Sequence, residues 1–388
     1  MTKDWSGERV LIIGAARQGT ALARYLIEHG AEVVLNDRCP ADELTETQDA
    51  LADLPVEWVL GGHPLSLLDD VDLVCPSGGV PLTLPLVEEA QARGLPLSND
   101  SQIFLQAAPC PVVGITGSAG KTTTTMLVGR MAEAGTTAKA WVGGNIGNPL
   151  IASMGQMAPD DIAVMELSSF QLELMTLSPQ VAAVLNVTPN HLDRHGTMEA
   201  YTAAKARILT FQREQDVAIL GRDDPGAWEL AASVQGELIS FGLRCPSRGN
   251  PGTFLDGDWI KYWDGTRSQK LIPTDLILLR GDHNLLNVLA ACAIAAAAGL
   301  PIEAMRAGVE GFEGAPHRLE FVRSWGGADW YNDSIATAPE RAIAAIHSFD
   351  DPLVLLAGGR DKDLPWEEFA DLVCQRVDHV VIFGEAGV

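Results

Sequence analysis

A glycine-rich segment that ends in a lysine and two threonines carries the strongest chemical signal in the sequence. It runs from Gly114 to Thr123, with further glycines at positions 117 and 120. An apolar run precedes it and a helical pattern follows it, as in a phosphate-binding loop. In such a loop backbone amides approach phosphate oxygens, so Lys121 would reach the β- and γ-phosphates and Thr122 would bind Mg²⁺. Ile115 stands where the strict pattern has glycine, so the loop is a variant, and a glycine-rich turn with a surface lysine is the alternative.

A carboxylate and a histidine-containing loop follow two later apolar runs. Glu166 ends the run that starts at Ile162, and the loop Asn186–Gly196 contains two histidines and an aspartate. Loops at the carboxyl ends of strands are where α/β proteins bind ligands, so Glu166 is a candidate Mg²⁺ ligand and His191 a candidate ligand of a second metal ion. Taken singly, the glutamate could instead cap a helix, the histidine could stabilise a turn, and Lys205 could be a surface lysine on a helix.

Alternating strand and helix patterns must position these residues. Apolar runs predict strands at Arg9–Ile13, Glu32–Leu35, Val71–Cys75, Val112–Ile115, Ile162–Met165, Val181–Val187, Leu353–Ala357 and Val380–Phe383. Helical spacing predicts helices at Ala21–Leu26, after a turn that follows the first strand, and at Leu84–Arg93, Thr122–Glu133, Asn284–Ala298, Pro339–His347 and Trp366–Arg376. Turn signals predict a hairpin patch within Thr253–Ile272 and a hairpin from Arg318 to Tyr331. The alternation indicates an α/β fold with a parallel sheet covered on both faces.

Length and charge limit the classes of protein. A chain of 388 residues predicts two or three domains, and the segments near 107–111 and 311–316 divide it into 1–106, 107–314 and 315–388. The net charge of −24 argues against a binder of nucleic acid or of anionic membranes. No apolar stretch reaches the roughly 20 residues of a membrane span, and the start of the chain has no apolar signal segment. The scattered cysteines indicate reduced thiols, and we expect a cytoplasmic, monomeric protein.

The set of motifs resembles the Mur ligase superfamily of ATP-dependent amide-bond ligases. The resemblance extends from residue 9 to about residue 365, and the run Glu166–Leu172 resembles that of the branch that adds D-glutamate. It implies a three-domain α/β architecture: a Rossmann-like N-terminal domain, a central P-loop ATPase-like domain with a parallel sheet, and a Rossmann-like C-terminal domain that we expect to be incomplete. The motifs that carry it are Gly114–Thr123, Gly143–Gly147, Glu166–Leu172, Asn186–Gly196, Gly281–Asn287, Pro316–Arg318 and Asn332–Ser334.

The resemblance implies a reaction as well as a fold. ATP would phosphorylate the terminal carboxylate of UDP-N-acetylmuramoyl-L-alanine, and the amine of D-glutamate would attack the acyl-phosphate through a tetrahedral intermediate. ADP and phosphate would be released, and the product would serve peptidoglycan synthesis. Two alternatives remain open: a non-catalytic relative or fragment that binds nucleotide or UDP-sugar, and a sister ligase such as another Mur enzyme or a folylpolyglutamate ligase.

The resemblance also implies roles for individual residues. Lys121, Glu166, His191 and Lys205 are implied in catalysis, and Thr122, Glu166, His191 and a carbamylated Lys205 in binding two Mg²⁺ ions. The implied ATP contacts are Gly117, Ser118, Gly120, Lys121, Thr122, Thr123, Asn287, Arg318 and Asp333. The implied substrate contacts are Ala16, Arg17, Asp37 and Arg38 on the UDP side, Asn145, Ser168 and Gln171 for the muramoyl-alanine part, and Thr337 and Lys362 near D-glutamate.

Three positions depart from the family's pattern. Ile335 stands where the family has a lysine, which removes a cation from a site that must hold ATP and a glutamate dianion. Asn190 stands where the family has an aspartate before the loop histidine. The segment Cys75–Gly79 replaces the family's usual Ser-Pro-Gly turn on the UDP side.

Overall fold

The computed structural model describes residues 3–135, 138–247, 250–315, 317–336, 339–359 and 365–385. The strands are β1 (Arg9–Ile13), β2 (Glu32–Asp37), β3 (Val56–Leu60), β4 (Leu73–Pro76), β5 (Val112–Thr116), β6 (Ala140–Gly144), β7 (Ile162–Glu166), β8 (Val181–Val184), β9 (Val217–Gly221), β10 (Glu237–Phe241), β11 (Gly252–Asp256), β12 (Trp259–Trp263), β13 (Ser268–Pro273), β14 (Glu320–Trp325), β15 (Ala328–Asn332), β16 (Val354–Gly358) and β17 (His379–Phe383). The helices are α1 (Arg17–Glu28), α2 (Thr45–Ala50), α3 (Pro85–Ala92), α4 (Asp100–Ala107), α5 (Lys121–Gly135), α6 (Ser169–Leu172), α7 (Leu192–His195), α8 (Met198–Thr210), α9 (Pro225–Trp228), α10 (Asp282–Ala297), α11 (Ile302–Val309), α12 (Pro339–His347) and α13 (Glu367–Arg376). Short 3₁₀ turns connect several of these elements.

A four-stranded parallel sheet forms the N-terminal part of the chain. Its order is β3-β2-β1-β4, and the central strand β1 is a continuous apolar run because it is covered on both faces. Helix α1 buries Leu22, Tyr25 and Leu26 at helical spacing. Gly19 brings this helix against the end of β1, since a Cβ at that position would lie 1.9 Å from the carbonyl oxygen of Gly14. The predicted strand–turn–helix start of the chain is therefore confirmed.

A nine-stranded sheet forms the centre of the molecule. Its order is β13-β12-β11-β10-β9-β8-β5-β7-β6, parallel from β6 to β11 and antiparallel over β11, β12 and β13. The predicted hairpin patch in Thr253–Ile272 is present, but it comprises three strands and continues the central sheet through the pairing of β11 with β10. The parallel α/β fold class is thus confirmed, with an antiparallel extension at one edge.

Helices cover both faces of the central sheet. On one face lies α10, in which every residue from Val288 to Ala295 is fully buried among the apolar side chains of the sheet and of α5. Its alanine-rich sequence suits this position, because small side chains allow a close approach to the strands. On the other face α8 contributes Tyr201, Ile208 and Leu209 to a core that continues into the N-terminal sheet.

The last part of the chain contains the two predicted strand pairs. The hairpin β14–β15 and the parallel pair β16–β17 are both formed, with α12 and α13 beside each other. Val354, Ile382 and Phe383 of the parallel pair are each more than half exposed. Parallel strands are ordinarily covered on both faces, so this pair is unusual within the described residues.

Two predictions about the class of protein can be checked on the structure. In the ranges described above, none of the helices has the length and apolar character that crossing a bilayer requires. All six cysteines lie in these ranges and each is a free thiol.

Asp100 is a buried carboxylate at the start of α4, between the N-terminal and central sheets. It is 4% exposed, and its Oδ1 has no hydrogen-bond partner in the described part of the chain. Burial raises the pKa of Asp100 to about 6, although backbone hydrogen bonds, that of Ser101 first, and then a hydrogen bond with the Gln18 side chain partly offset this. Gln18 in turn accepts a hydrogen bond from the backbone N–H of Gly78 at 3.2 Å. The carboxylate therefore destabilises the folded state when it is ionised.

Asp100→Asn is expected to alter stability in a pH-dependent way. The folded pKa lies about two units above the ordinary value near 4, so the cost is absent below pH ~4 and complete above pH ~6, where it amounts to a few kcal/mol. The variant should therefore gain stability relative to the parent chain as the pH rises from about 4 to about 6. Urea unfolding at pH 4.5, 5.5 and 7.5 measures this, with the exposed Asp42→Asn as the control. A stability difference that is independent of pH would contradict the assignment.

Candidate functional site

The predicted phosphate loop lies at the centre of the large sheet. Strand β5 ends at Thr116, α5 begins at Lys121, and the turn between them lies at the carboxyl edge of the sheet. The register pairs Ile115 with Glu166 on β7 and Thr116 with Val184 on β8. Parallel strands end at the same edge, so the loop, the acidic residue and the start of the histidine loop meet there.

Gly120 shows why glycine is needed in this turn. Its φ is +80°, and a Cβ would lie 2.1 Å from Oδ1 of Asn287 on α10. The close approach places the predicted ATP contacts Gly120 and Asn287 side by side. Gly117 is similarly restricted, because a Cβ there would lie 2.9 Å from Cβ of Leu185.

Two lysines donate to the same backbone carbonyl beneath the loop. Nζ of Lys121 lies 2.9 Å from the oxygen of Gly117, and Nζ of Lys205 lies 3.0 Å from the same oxygen. Burial lowers the pKa of Lys121 to about 8. Burial, and then the charge of Lys121, lowers the pKa of Lys205 well below its ordinary value. Lys205 is thus a buried amine whose neutral form is favoured, and not the surface lysine that a single helical position would suggest.

Glu166 lies beside the loop as predicted. Its carboxylate is 1% exposed and accepts hydrogen bonds from the Thr122 hydroxyl at 2.9 Å and from the Asn145 amide at 2.8 Å. Two oxygen groups of the kind that Mg²⁺ prefers, a carboxylate and a hydroxyl, are therefore adjacent at the site where phosphates would bind.

The histidines of the 186–196 loop have different surroundings. His191 is exposed, has φ +55°, and its ring centroid lies 5.2 Å from that of Phe170. His195 is buried, with Nε2 2.9 Å from the hydroxyl of Ser169 and Nδ1 3.0 Å from the carboxylate of Glu173. Among the described residues, no group of three or more His, Cys, Asp or Glu side chains is arranged to hold a metal ion. His191 and Glu166 therefore do not form part of such a group in the structure.

The start of the same loop fastens the phosphate loop in place. The Ser118 hydroxyl donates to the carbonyl oxygen of Thr188 and accepts from its N–H, both at 2.9 Å. The amide N–H of Ala119 donates to Oδ1 of Asn186 at 2.8 Å. Ser118 and Thr123, two of the predicted ATP contacts, are both buried. Because the Ser118 hydroxyl is hydrogen-bonded to the backbone of Thr188, its side chain braces the loop.

A cavity of about 430 Å³ opens from the loop towards the last part of the chain. Arg318 is largely buried in its wall, and its Nε has no hydrogen-bond partner in the ranges described. Burial, and then the charge of Arg341, lowers the pKa of Arg318. Asp333 lines the same wall; burial raises the pKa of its carboxylate, which accepts a hydrogen bond from the N–H of Leu319 at 3.0 Å. The predicted ATP contacts Asn287, Arg318 and Asp333 therefore share one cavity with the loop.

Sequence reasoning missed several residues of this cavity. His283 belongs to a motif quoted above, so its position could have identified it, whereas Phe241 and Arg341 lie in segments without any signal beyond strand or helix periodicity. The departures Asn190 and Ile335 also line the cavity, so both altered positions are at the site.

The predicted substrate contacts in the Glu166–Leu172 motif are held by hydrogen bonds within the protein. Ser168 caps α6 in a capping box, with its N–H donating to Oε1 of Gln171 at 2.9 Å. Nε2 of Gln171 donates to the hydroxyl of Ser101 on α4 at 2.9 Å. Gln171 is 1% exposed, so in the structure it joins two segments of the protein. Asn145 instead holds Glu166, as described above.

The predicted UDP-side contacts lie at the carboxyl edge of the N-terminal sheet. Ala16 and Arg38 are exposed, and Nη1 of Arg17 donates to the carbonyl oxygen of Gly147 at 3.0 Å. Burial alone would raise the pKa of Asp37, but hydrogen bonds from the N–H groups of Cys39 and Ala15 outweigh it, and the pKa is lowered. Asp37 therefore braces the first glycine loop.

Thr337 and Lys362, the predicted D-glutamate contacts, lie outside the described residues.

Comparison with known proteins shows which family this chain is similar to. Residues 8–98 match the Mur ligase MurD-like N-terminal domain, and residues 115–295 match the Mur ligase middle domain. The UDP-N-acetylmuramoylalanine--D-glutamate ligase of Symbiobacterium thermophilum is 41% identical over 377 residues, which cover 97% of this chain and 83% of the relative. The enzyme of the same name from Pelotomaculum thermopropionicum is 41% identical over 388 residues, covering 100% of this chain and 84% of the relative.

Solved structures agree at the level of the fold. A UDP-N-acetylmuramate-alanine ligase from Thermotoga maritima superimposes with a TM-score of 0.59 at 19% identity, covering 96% of this chain and 84% of that one. MurF from Acinetobacter baumannii gives a TM-score of 0.56 at 21% identity, covering 99% of this chain and 80% of that one. The motifs, the fold and the relatives at about 40% identity lead to one conclusion. The chain belongs to the Mur ligase family, in the branch that contains the UDP-N-acetylmuramoylalanine--D-glutamate ligases.

Proposed function

We propose that the chain joins D-glutamate to UDP-N-acetylmuramoyl-L-alanine at the expense of ATP, releasing ADP and phosphate, as a step of peptidoglycan synthesis. The observation that carries the proposal is the cavity that unites the phosphate loop with Asn287, Arg318 and Asp333. The relatives of the same branch support the choice of substrates. A cytoplasmic location and a monomeric state are part of the proposal; the free thiols support the former.

The proposed chemistry explains why ATP is needed. A carboxylate is a poor electrophile, and transfer of the γ-phosphoryl group converts it into an acyl-phosphate that an amine can attack. The protein has to position the reactants and stabilise charge on the transferred phosphoryl group. Ser118, Ala119 and Gly120, which lead into the positive start of α5 at Lys121, line the cavity, and Arg318 adds a cation to the same lining.

Two Mg²⁺ ions are part of the proposal, and the residues present fit at least one of them. Thr122 and Glu166 place a hydroxyl and a buried carboxylate together, and among the described residues Glu166 has no ion-pair partner. When bound there, Mg²⁺ would neutralise charge on the phosphates. For the second ion we propose His191 together with Lys205 as its carbamate, formed when the neutral amine adds CO₂ and releases a proton. The buried, neutral-favouring position of Lys205 supports that modification.

The remaining substrate contacts are proposed from the family resemblance, supported for the UDP and muramoyl-alanine parts by the places of these residues in the fold. The UDP group would bind over the first glycine loop near Ala16, Arg17, Asp37 and Arg38, and the muramoyl-alanine part near Asn145, Ser168 and Gln171. Thr337 and Lys362 would contact D-glutamate. The Arg17 contact with Gly147 supports this arrangement, because it brings the N-terminal loop next to the 143–147 glycine motif.

The reaction itself can be tested by phosphate release from the purified chain. Release should require ATP, UDP-N-acetylmuramoyl-L-alanine and D-glutamate together, because the amine is needed to complete turnover. L-Glutamate and a folate substrate serve as controls for the sister ligases. Phosphate release that is independent of D-glutamate would contradict the proposal, and binding of ATP and UDP-sugar with no turnover would favour the non-catalytic relative.

Glu166→Gln is expected to lower kcat on the order of 100-fold, with a higher Mg²⁺ requirement. The substitution keeps the side-chain shape but removes the charge that would hold the ion beside Thr122. Steady-state rates over a range of Mg²⁺ concentrations measure the effect. Glu199→Gln, an exposed change on α8, is the matched control. An unchanged Mg²⁺ dependence in Glu166→Gln would rule out the metal-binding role.

Lys205→Ala is expected to reduce turnover at least about 100-fold, with partial recovery when acetate or formate is added. A small carboxylate can occupy the space that the buried side chain leaves and replace the proposed carbamate's charge. Lys205→Met is the matched variant, because it fills the space without an amine and should therefore be inactive and not recover. Thermal melting checks that both variants fold. Normal turnover in Lys205→Ala, or equal recovery in both variants, would exclude the carbamate.

A further inference from the structure

Arg341 is a cation of the cavity wall to which neither the motifs nor the relatives' names assign a role. It lies in the first turn of α12 and lines the cavity together with Arg318, Asp333 and Ile335. Its Nη1 donates to the carbonyl oxygen of Ile335 at 3.4 Å, which is long for a hydrogen bond. Among the described residues no carboxylate lies within ion-pair distance of Arg341. The guanidinium therefore keeps most of its hydrogen-bonding capacity for a ligand.

The charges around the cavity indicate what kind of ligand that is. Burial lowers the pKa of Lys121 and of Arg318, and the charge of Arg341 acts in the same direction on both, whereas the charge of Glu166 opposes it. Arg318 and Arg341 line the cavity together with the carboxylates Asp223, Asp224 and Asp333, and Lys121 lies behind the phosphate loop, where it donates to the carbonyl oxygen of Gly117. The two guanidinium groups repel each other, and an anion bound beside them would relieve that repulsion.

The position of Arg341 also indicates which part of a nucleotide it faces. Its charge acts on Tyr201 as well, whose hydroxyl shares a hydrogen bond of 3.0 Å with the Ser118 hydroxyl in the phosphate loop. Arg341 shares the cavity with Ser118, Ala119 and Gly120 of the phosphate loop, the segment beside which the phosphates would lie. A guanidinium suits a phosphate there, because its planar fork can donate two parallel hydrogen bonds to two oxygens.

We propose that Arg341 binds the terminal phosphate of ATP and supplies the positive charge that Ile335 does not. The geometric basis is the contact between the guanidinium and the Ile335 backbone, which places the cation at the position that lacks a charged side chain. The proposal rests on the proposed function, since it takes ATP as the nucleotide.

Nucleotide titration of the full chain tests this assignment. Calorimetry with ATP and with ADP, each with Mg²⁺, should show that Arg341→Ala weakens ATP binding about 10- to 100-fold and ADP binding less than about 3-fold. Arg341→Lys should give an intermediate loss for ATP. Ile335→Lys in the Arg341→Ala background should recover most of the loss, because Ile335 is 41% exposed and can accept a lysine. Arg323→Ala, an exposed arginine on β14, is the control and should bind ATP normally.

Each other outcome overturns the assignment. Equal losses for ATP and ADP would place Arg341 on an inner phosphate, and no loss would remove it from the nucleotide site. A higher KM for D-glutamate with unchanged ATP binding would place it on the amino-acid carboxylate. Arg341→Gln replaces the alanine variant if thermal melting shows that the latter is unfolded. The titration needs no turnover, so a failure of D-glutamate-dependent phosphate release would leave its result intact and would count against the ligase reaction alone.

Discussion

The carbonyl oxygen of Gly117 accepts hydrogen bonds from two lysine side chains, and much of the central architecture depends on this contact. Lys121 reaches it from the helix that starts at the loop, and Lys205 reaches it from α8, which lies far along the chain. The contact anchors α8 beneath the loop and places two buried amines next to the position of the phosphates. Such an arrangement is costly in an apolar interior unless one amine is neutral or an anion is bound. The site is therefore organised around a ligand with several negative charges.

The cations at the site, among them Arg318 and Arg341, are opposite in sign to the net charge of the whole chain. The chain as a whole carries a net charge of −24, which opposes the approach of anions. Ionic screening limits that field to about 10 Å, so the cations on the cavity wall determine what binds. In this wall Ile335 carries no charge, and Arg341, which contacts its backbone carbonyl, places a cation beside it.

The extent to which the sequence predicts this structure depends on how far apart the cooperating residues are. The phosphate loop is predictable because its parts lie within one short segment, and Glu166 is predictable because parallel strand ends meet at one edge. Strands β9 and β10 and helix α8 are not identified from the sequence, since their apolar patterns are short or interrupted and tertiary packing determines them. Arg341 is not predictable either, because its role depends on folding the last part of the chain over the loop. The use of Gln171 as an internal brace depends in the same way on a contact with Ser101 that only the fold creates.

The side-chain amides around α4 have a consequence for recombination between relatives. Asn99 donates to the carbonyl oxygen of Gln171 at 2.8 Å, and Gln102 exchanges hydrogen bonds with Thr176 at 2.8 and 3.1 Å. A crossover at the predicted boundary between residues 106 and 107 would take α4 from one parent and its hydrogen-bonding partners from the other. A crossover just before Asn99 would keep these amide pairs in one parent. An exchange point before the helix therefore preserves these amide pairs, which the proline-flanked segment after it would divide, and leaves the hydrogen bond between Asp100 and Gln18 as the contact to be matched between the parents.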